Sequence, residues 1–187
     1  GGDYQFPWVN VAGYLQQADI TFINLESVIS DRGRPNRHIN GIRYRANPNA
    51  ITGLQYAGID VVSLANDHVF DYGRSAMEDC INRLRSNDIK CVGAGLSYEE
   101  AYMPTYVEVK GKKIAFLAYT NIGDTSCRAT KTVTLPWGRV VPGTSGAAWF
   151  TVKEMEMGIA KARQDMADII VVSIHAGRLY SNKPNSD

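Results

Sequence analysis

The sequence predicts an α/β protein with helices on both sides of a mixed sheet. Three observations carry that prediction. Short β-branched apolar runs alternate with segments of helical spacing. Two of the runs flank Lys110-Gly111-Lys112 and read as a hairpin, so the sheet is not purely parallel. Three runs stop in polar, ligand-type residues, and in α/β proteins active sites gather at that edge.

The elements follow in order. Residues 9–17 have apolar positions at helical spacing and predict a short helix. Residues 19–25 form a strand-like run ending at Glu26. Residues 30–40, rich in Gly, Pro, Asn and Arg, form a loop. Residues 48–57 are helical, with Asn47 as N-cap, Pro48 at the first helical position and Gly58 just past the end. The run 59–65 is a strand, followed by Asn66, Asp67 and His68. Residues 75–85 form an amphipathic helix whose apolar positions are Ala76, Met77, Cys80, Ile81 and Leu84. A short strand, 89–92, runs into Gly93-Ala94-Gly95. Ser97 opens a capping-box pattern and a helix to about residue 102. The hairpin strands are 105–109 and 113–119. Residues 121–148 form a long Gly/Thr/Pro/Trp loop, and loops this long are usually functional or mobile. A helix over 153–164 leads to 168–174, the most continuous apolar strand, which ends at His175.

Composition excludes little and favours an ordinary globular domain. The formal net charge of +1, with no Lys/Arg block and no aromatic-basic stripe, gives no reason to expect nucleic acid as a partner. No apolar segment reaches the length of a membrane span. Cys80, Cys91 and Cys127 lack metal-ligand spacing; a Cys80–Cys91 bridge and buried free thiols are the two readings.

The candidate site comes from the three strand ends: Asn24-Leu25-Glu26, Asn66-Asp67-His68 and His175-Ala176-Gly177. Strand alternation puts Asn24 and Glu26 on one face. If the three strands are parallel neighbours, these groups converge at one sheet edge. Imidazole, carboxylate and amide oxygen together suit Mn, Fe or Zn. Two such ions could clamp a phosphate and activate a water. Taken alone, Asn24 and Glu26 also fit turn and cap roles, and His68 fits a satisfied turn histidine. His175 is harder to dismiss, because an imidazole at the end of an apolar run needs a partner. Asp71 is expected to accept backbone N–H bonds where the helix starts at Gly73. His38 reads as surface. The Gly93-Ala94-Gly95 turn could cradle a phosphate, but the full Gly-rich fingerprint is absent, so a tight turn is expected. No nucleophile motif competes: Ser63 and Ser173 lie inside strands.

Segments 18–26, 57–73, 93–95 and 170–177, read in that order, resemble the bacterial capsule-synthesis CapA family, also called the poly-γ-glutamate biosynthesis protein family. The resemblance covers nearly the whole chain, and the 57–73 motif is its most specific part. It implies a calcineurin-like metallophosphoesterase fold, a β-sandwich flanked by helices in α-β-β-α layers. It also implies a dinuclear metal site at strand ends and a cell-surface role in making, anchoring or releasing an anionic polymer. Asn24 and Glu26 match the family's Asn-Leu-Glu, and Asn66, Asp67 and His68 match its Asn-Asn-His. His175 matches the His of its His-Trp-Gly. By this analogy Asn24, Glu26, Asn66, Asp67 and His175 are metal ligands and His68 is the catalytic acid.

Three positions depart from the pattern: Asp67 replaces an Asn, Ala176 a Trp, and Leu179 a Glu. A strand ending in Gly-Asp and a His-x-His segment are missing. Residues 1–187 therefore read as a single but incomplete domain of this kind. Extracytoplasmic location and membrane anchoring of the full-length protein are implied by the resemblance only, as is partnership with capsule-synthesis membrane proteins. The 121–148 loop is expected to cover the site. Trp137 and Arg139 would contact the substrate there, an anionic polymer or phosphoester, and Arg128 and Lys131 could add to the pairing. Two function classes stand side by side: a metal-dependent hydrolase, and a non-catalytic scaffold or polymer-binding module. A plain α/β binding domain with polar strand caps is a third.

Overall fold

The computed structural model describes residues 2–37 and 41–177. His38 and Leu179 lie outside the described residues. In chain order the elements are α1 (Ala12–Leu15), β1 (Phe22–Asn24), β2 (Val28–Ile29), β3 (Arg45–Ala46), α2 (Ile51–Ala57), β4 (Val61–Ser63) and α3 (Arg74–Arg85). There follow β5 (Lys90–Val92), β6 (Ala94–Gly95), α4 (Tyr98–Tyr102), β7 (Thr105–Val109) and β8 (Lys112–Thr120). The last are β9 (Val133–Thr134), β10 (Val140–Val141), β11 (Gly146–Ala147), α5 (Val152–Gln164) and β12 (Ile169–His175).

Two three-stranded sheets form the frame. The first has the order β1-β4-β5 and is parallel throughout. The second has the order β12-β8-β7, with β12 parallel and β7 antiparallel to β8. Side-chain alternation along the strands sorts the core into three layers. Val61, Ala65 and Val92 of the first sheet meet Phe116 and Ala118 of the second, with Phe22, Val107 and Val171 packed against them. On the outer face of the first sheet, Val62 and Leu64 pack on α2 and α3 through Leu54, Met77 and Ile81. On the outer face of the second, Leu117 and Tyr119 pack on α4 and α5 through Tyr102, Met155 and Ile159. The layers are helix, sheet, sheet, helix, a mixed α/β architecture like that of metallophosphoesterases. The single mixed sheet expected from strand alternation alone is thus two sheets packed face to face.

Gly93 lies between the two sheets. Its φ is +81°, and a Cβ there would stand 2.6 Å from Ala65 Cβ and 2.8 Å from Ala118 Cβ. Only glycine allows the approach. Ala94 and Gly95 continue as β6, paired with β11, so this segment is a crossing between layers rather than a phosphate cradle.

Local signals were mostly realised. Asn47 accepts a hydrogen bond from Asn49 N, and Gly58 ends α2 in the left-handed region. The buried residues of α3 are Ala76, Met77, Cys80, Ile81 and Leu84. Lys110 and Gly111, both at positive φ, close the β7–β8 hairpin. Ser97 caps α4 through Glu100 N, but the Glu100 carboxylate reaches back to Leu96 N and to Arg85, not to Ser97 N.

Other expectations need correction. The helix over 9–17 shrinks to the single turn α1, preceded by a 3-10 turn at Phe6–Trp8, because it buries only Ala12 and carries Gly13 at its centre. The 121–148 segment is not structureless: it holds a 3-10 turn at Thr125–Cys127, the β9–β10 hairpin, and β11. The β12 strand is only half-buried, because among the described residues it pairs on one side alone, with β8. All three cysteines are free. Burial pushes the Cys80 thiol up to about 12, as expected of an inert core thiol.

Candidate metal centre

The site lies at one end of the layer between the sheets. Leu25 N continues the parallel ladder to Ser63 O past the end of β1, so Asn24 and Glu26 stay on the inner face with Phe22. At the end of β4 the chain turns on Asn66, whose side-chain oxygen accepts from His68 N at 3.2 Å. The same side chain, 2% exposed, donates to Asn24 Oδ1 and to Leu25 O, each at 3.0 Å. Asn24 in turn donates to Glu26 Oε2 at 2.9 Å. The two amides brace the strand ends through bonds to each other, to backbone and to Glu26.

His175 is the last residue of β12 and shares the inner face with Val171. Its Nε2 lies 3.1 Å from Asp67 Oδ1. The condition that all three strands be parallel neighbours is met by β1 and β4 but not by β12, which belongs to the second sheet. Their ends converge nonetheless. Ligand atoms of Glu26, Asp67 and His175 all lie within 4.8 Å of one another. Gly123, at φ +109°, packs against Asp67, with its would-be Cβ 3.4 Å from Asp67 Cα. The start of the 121–148 segment therefore borders the cluster.

His68 stands beside it. Its Nε2 is 3.7 Å from Asp67 Oδ2 and 3.9 Å from Glu26 Oε1. Its Nδ1 is 2.7 Å from Asp71 Oδ2. Asp71 is fully buried and also accepts from Tyr44 N. An ionised carboxylate only accepts, so Nδ1 carries the proton and Nε2 is presented to the cluster. The Tyr44 ring lies against the imidazole, with centroids 4.2 Å apart. Asp71 is therefore not the helix cap expected from its position: α3 starts after Gly73 with no side-chain cap. The His68–Asp71 spacing of three residues within a turn was the available signal for this pair. Nothing in the sequence pointed to Tyr44.

The donor set fits a cation. Bonds of about 2.0–2.2 Å to an imidazole nitrogen and a carboxylate oxygen place the two donors about 3 Å apart or a little more on one ion. His175 Nε2 and Asp67 Oδ1 meet that spacing. Among the described residues no Lys or Arg pairs with Glu26, Asp67 or Asp71, so only imidazoles face three carboxylates. Such a concentration of negative charge attracts a cation.

Trp137 and Arg139 sit in the link between β9 and β10. Trp137 is 74% exposed, and the Arg139 side chain has no hydrogen bond or ion pair to the described residues. Lys131 Nζ lies over the Tyr98 ring at 4.2 Å, on the α4 side of the fold. No described contact joins Trp137 or Arg139 to the cluster.

Among the described residues no helix is long and apolar enough to cross a membrane. The family profile described as "Bacterial capsule synthesis protein PGA_cap" matches residues 1–187. The chain is 27% identical over 187 residues to the capsule biosynthesis protein CapA of Bacillus anthracis, covering 99% of this chain and 43% of that protein. It is 26% identical over 186 residues to the PGA biosynthesis protein CapA of Bacillus subtilis, covering 99% of this chain and 45% of that protein. It thus spans less than half the length of these relatives. With a family profile matched from end to end, this chain belongs to the bacterial capsule synthesis PGA_cap family.

Proposed function

We propose that Glu26, Asp67 and His175 bind a divalent transition metal ion, Mn, Fe or Zn. With His68 they form a phosphoesterase-like hydrolytic site that serves the synthesis, anchoring or release of an anionic cell-surface polymer. The observation that carries this reading is the convergence of two carboxylates and an imidazole from three strand ends in two sheets. When bound, such an ion supplies Lewis-acid stabilisation at a phosphoryl oxygen. The protein's own residues divide the remaining work. Asp71 holds the proton on His68 Nδ1 and fixes the ring. Protonated Nε2 faces the cluster and hands its proton to the leaving oxygen. Asn24 and Asn66 hold the strand ends in register. Trp137 and Arg139 contact the polymer, the guanidinium by charge-assisted hydrogen bonds. The complete domain holds two ions, and the full-length protein works at the cell surface, anchored in the membrane beside other capsule-synthesis membrane proteins. The names of the relatives, capsule biosynthesis and PGA biosynthesis, support the pathway.

A non-catalytic polymer-binding module is the second reading. The observation favouring it is that three ligand atoms converge, enough for one ion and short of two. Elemental analysis of protein purified without chelator, followed by aryl phosphate hydrolysis with added Mn²⁺, tests both. Bound metal with turnover that His68→Gln removes supports the hydrolase. Bound metal without turnover supports the binding module. Absence of bound metal overturns the metal centre.

A further inference from the structure

Beside the metal centre lies an open cleft of about 440 Å³ whose charge is opposite in sign. Asn36, Arg37, Phe70, Gly73, Arg74 and Ser126 are among the residues that line it. The lining carries two guanidinium groups and no carboxylate. Neither Arg37 nor Arg74 pairs with a described carboxylate.

The lining is held in place. Asn36 N donates to Asp71 O at 2.8 Å, which ties the segment of Asn36 and Arg37 to the turn that carries His68. Arg74 Nη1 donates to Ser145 Oγ at 3.2 Å, and its guanidinium lies 5.3 Å from the Phe70 ring centroid. Ser145 donates onward to Glu78, so one edge of the guanidinium is braced while the rest borders the cleft. Ser126 and Cys127 belong to the same segment that packs Gly123 against Asp67. Cleft and cluster therefore share two chain segments, 66–74 and 121–127.

We infer that this cleft binds anionic groups of an extended chain, and specifically pendant carboxylates, through Arg37 and Arg74. An open cleft lined by two guanidinium groups and no carboxylate suits successive carboxylates of a polymer. A single small anion is better held by an enclosed nest of N–H groups. Guanidinium also matches carboxylate geometry through two parallel hydrogen bonds. This inference rests on the proposed polymer-directed function, and it gives the metal centre a neighbouring subsite that sets the position of the chain.

The test is calorimetric titration of this chain with a γ-linked glutamate oligomer and, separately, with inorganic phosphate, over a range of salt concentrations. Wild type is expected to bind the oligomer, more weakly as salt rises. Arg37→Ala and Arg74→Gln are each expected to weaken it about tenfold. Arg37 is exposed, so its variant keeps the inference testable if Arg74→Gln fails to fold. Oligomer affinity unchanged in Arg37→Ala overturns the assignment. Binding of phosphate without binding of the oligomer overturns the choice of ligand. Parallel Mn²⁺ titration separates the two ideas: failure to bind metal counts against the metal centre and leaves the cleft standing on its own result.

Discussion

His175 Nε2 lies 3.1 Å from Asp67 Oδ1, although the two residues are 108 positions apart and end strands of different sheets. Glu26 completes a three-donor set around this contact. The number of donors sets the first expectation.

Calorimetric titration with Mn²⁺ or Zn²⁺ should give one weak site per chain. Asp67→Ala and His175→Ala should each abolish it. A ligand at a hundredfold excess over its Kd stabilises the folded state by about 2.7 kcal/mol. The metal should therefore raise the Tm of wild type and leave both variants unmoved. Aryl phosphate hydrolysis with added Mn²⁺ should be slow, because one ion leaves the phosphoryl charge incompletely neutralised, and should be lost in His68→Gln. Two tightly bound ions per chain would contradict this count.

Asp71→Ala should destabilise the fold by about 2 kcal/mol, since it leaves His68 Nδ1 and Tyr44 N without their buried acceptor. Urea unfolding measures the loss. Nitrogen chemical shifts of the His68 ring should show a single tautomer in wild type and a mixture in Asp71→Asn. An unchanged tautomer in that variant would remove Asp71 from its positioning role.

Gly93→Ala should cost at least about 2 kcal/mol, from the strained φ and from overpacking against Ala65 and Ala118. Because the clash lies between the sheets, denaturant unfolding should show a lower midpoint. Wild-type stability in this variant would mean that the sheets do not approach as described.

Asp79 should make the fold acid-sensitive. Burial of its carboxylate raises the pKa, but hydrogen bonds from Ser30 and Arg83 and the charges of Arg83 and Arg32 outweigh it, so the pKa falls below the ordinary 3.8. A group depressed on folding contributes stability above its unfolded pKa and loses it as pH falls through the folded value. Acid titration of wild type from about pH 5 to pH 2 should show this loss. In Asp79→Asn the decline should be shallower, from a lower starting stability.

What the sequence revealed follows from the range of each interaction. The buried face of α3 and the caps of α2 are set within a few residues, so spacing alone located them. Glu26, Asp67, His68 and His175 stood out because polar groups at the ends of apolar runs are locally conspicuous. The division into two sheets was not legible: whether β12 pairs with β8 or with β4 depends on contacts far apart in sequence. Asp71 was misjudged because a carboxylate before Gly73 signals a helix cap as readily as an inward turn. The Asx turn at Asn66 decides between them, and only the folded backbone shows it. Tyr44 sits in a segment with no periodicity, and its stacking on His68 could not be read from its neighbours.

The face-to-face sandwich has a mechanical consequence for the metal centre. Glu26 and Asp67 ride on one sheet and His175 on the other, with apolar side chains between them. A small shear between the sheets would separate the donors. Any cation gripping all three acts as a rivet across that slip plane. Its affinity would then report the alignment of the two halves.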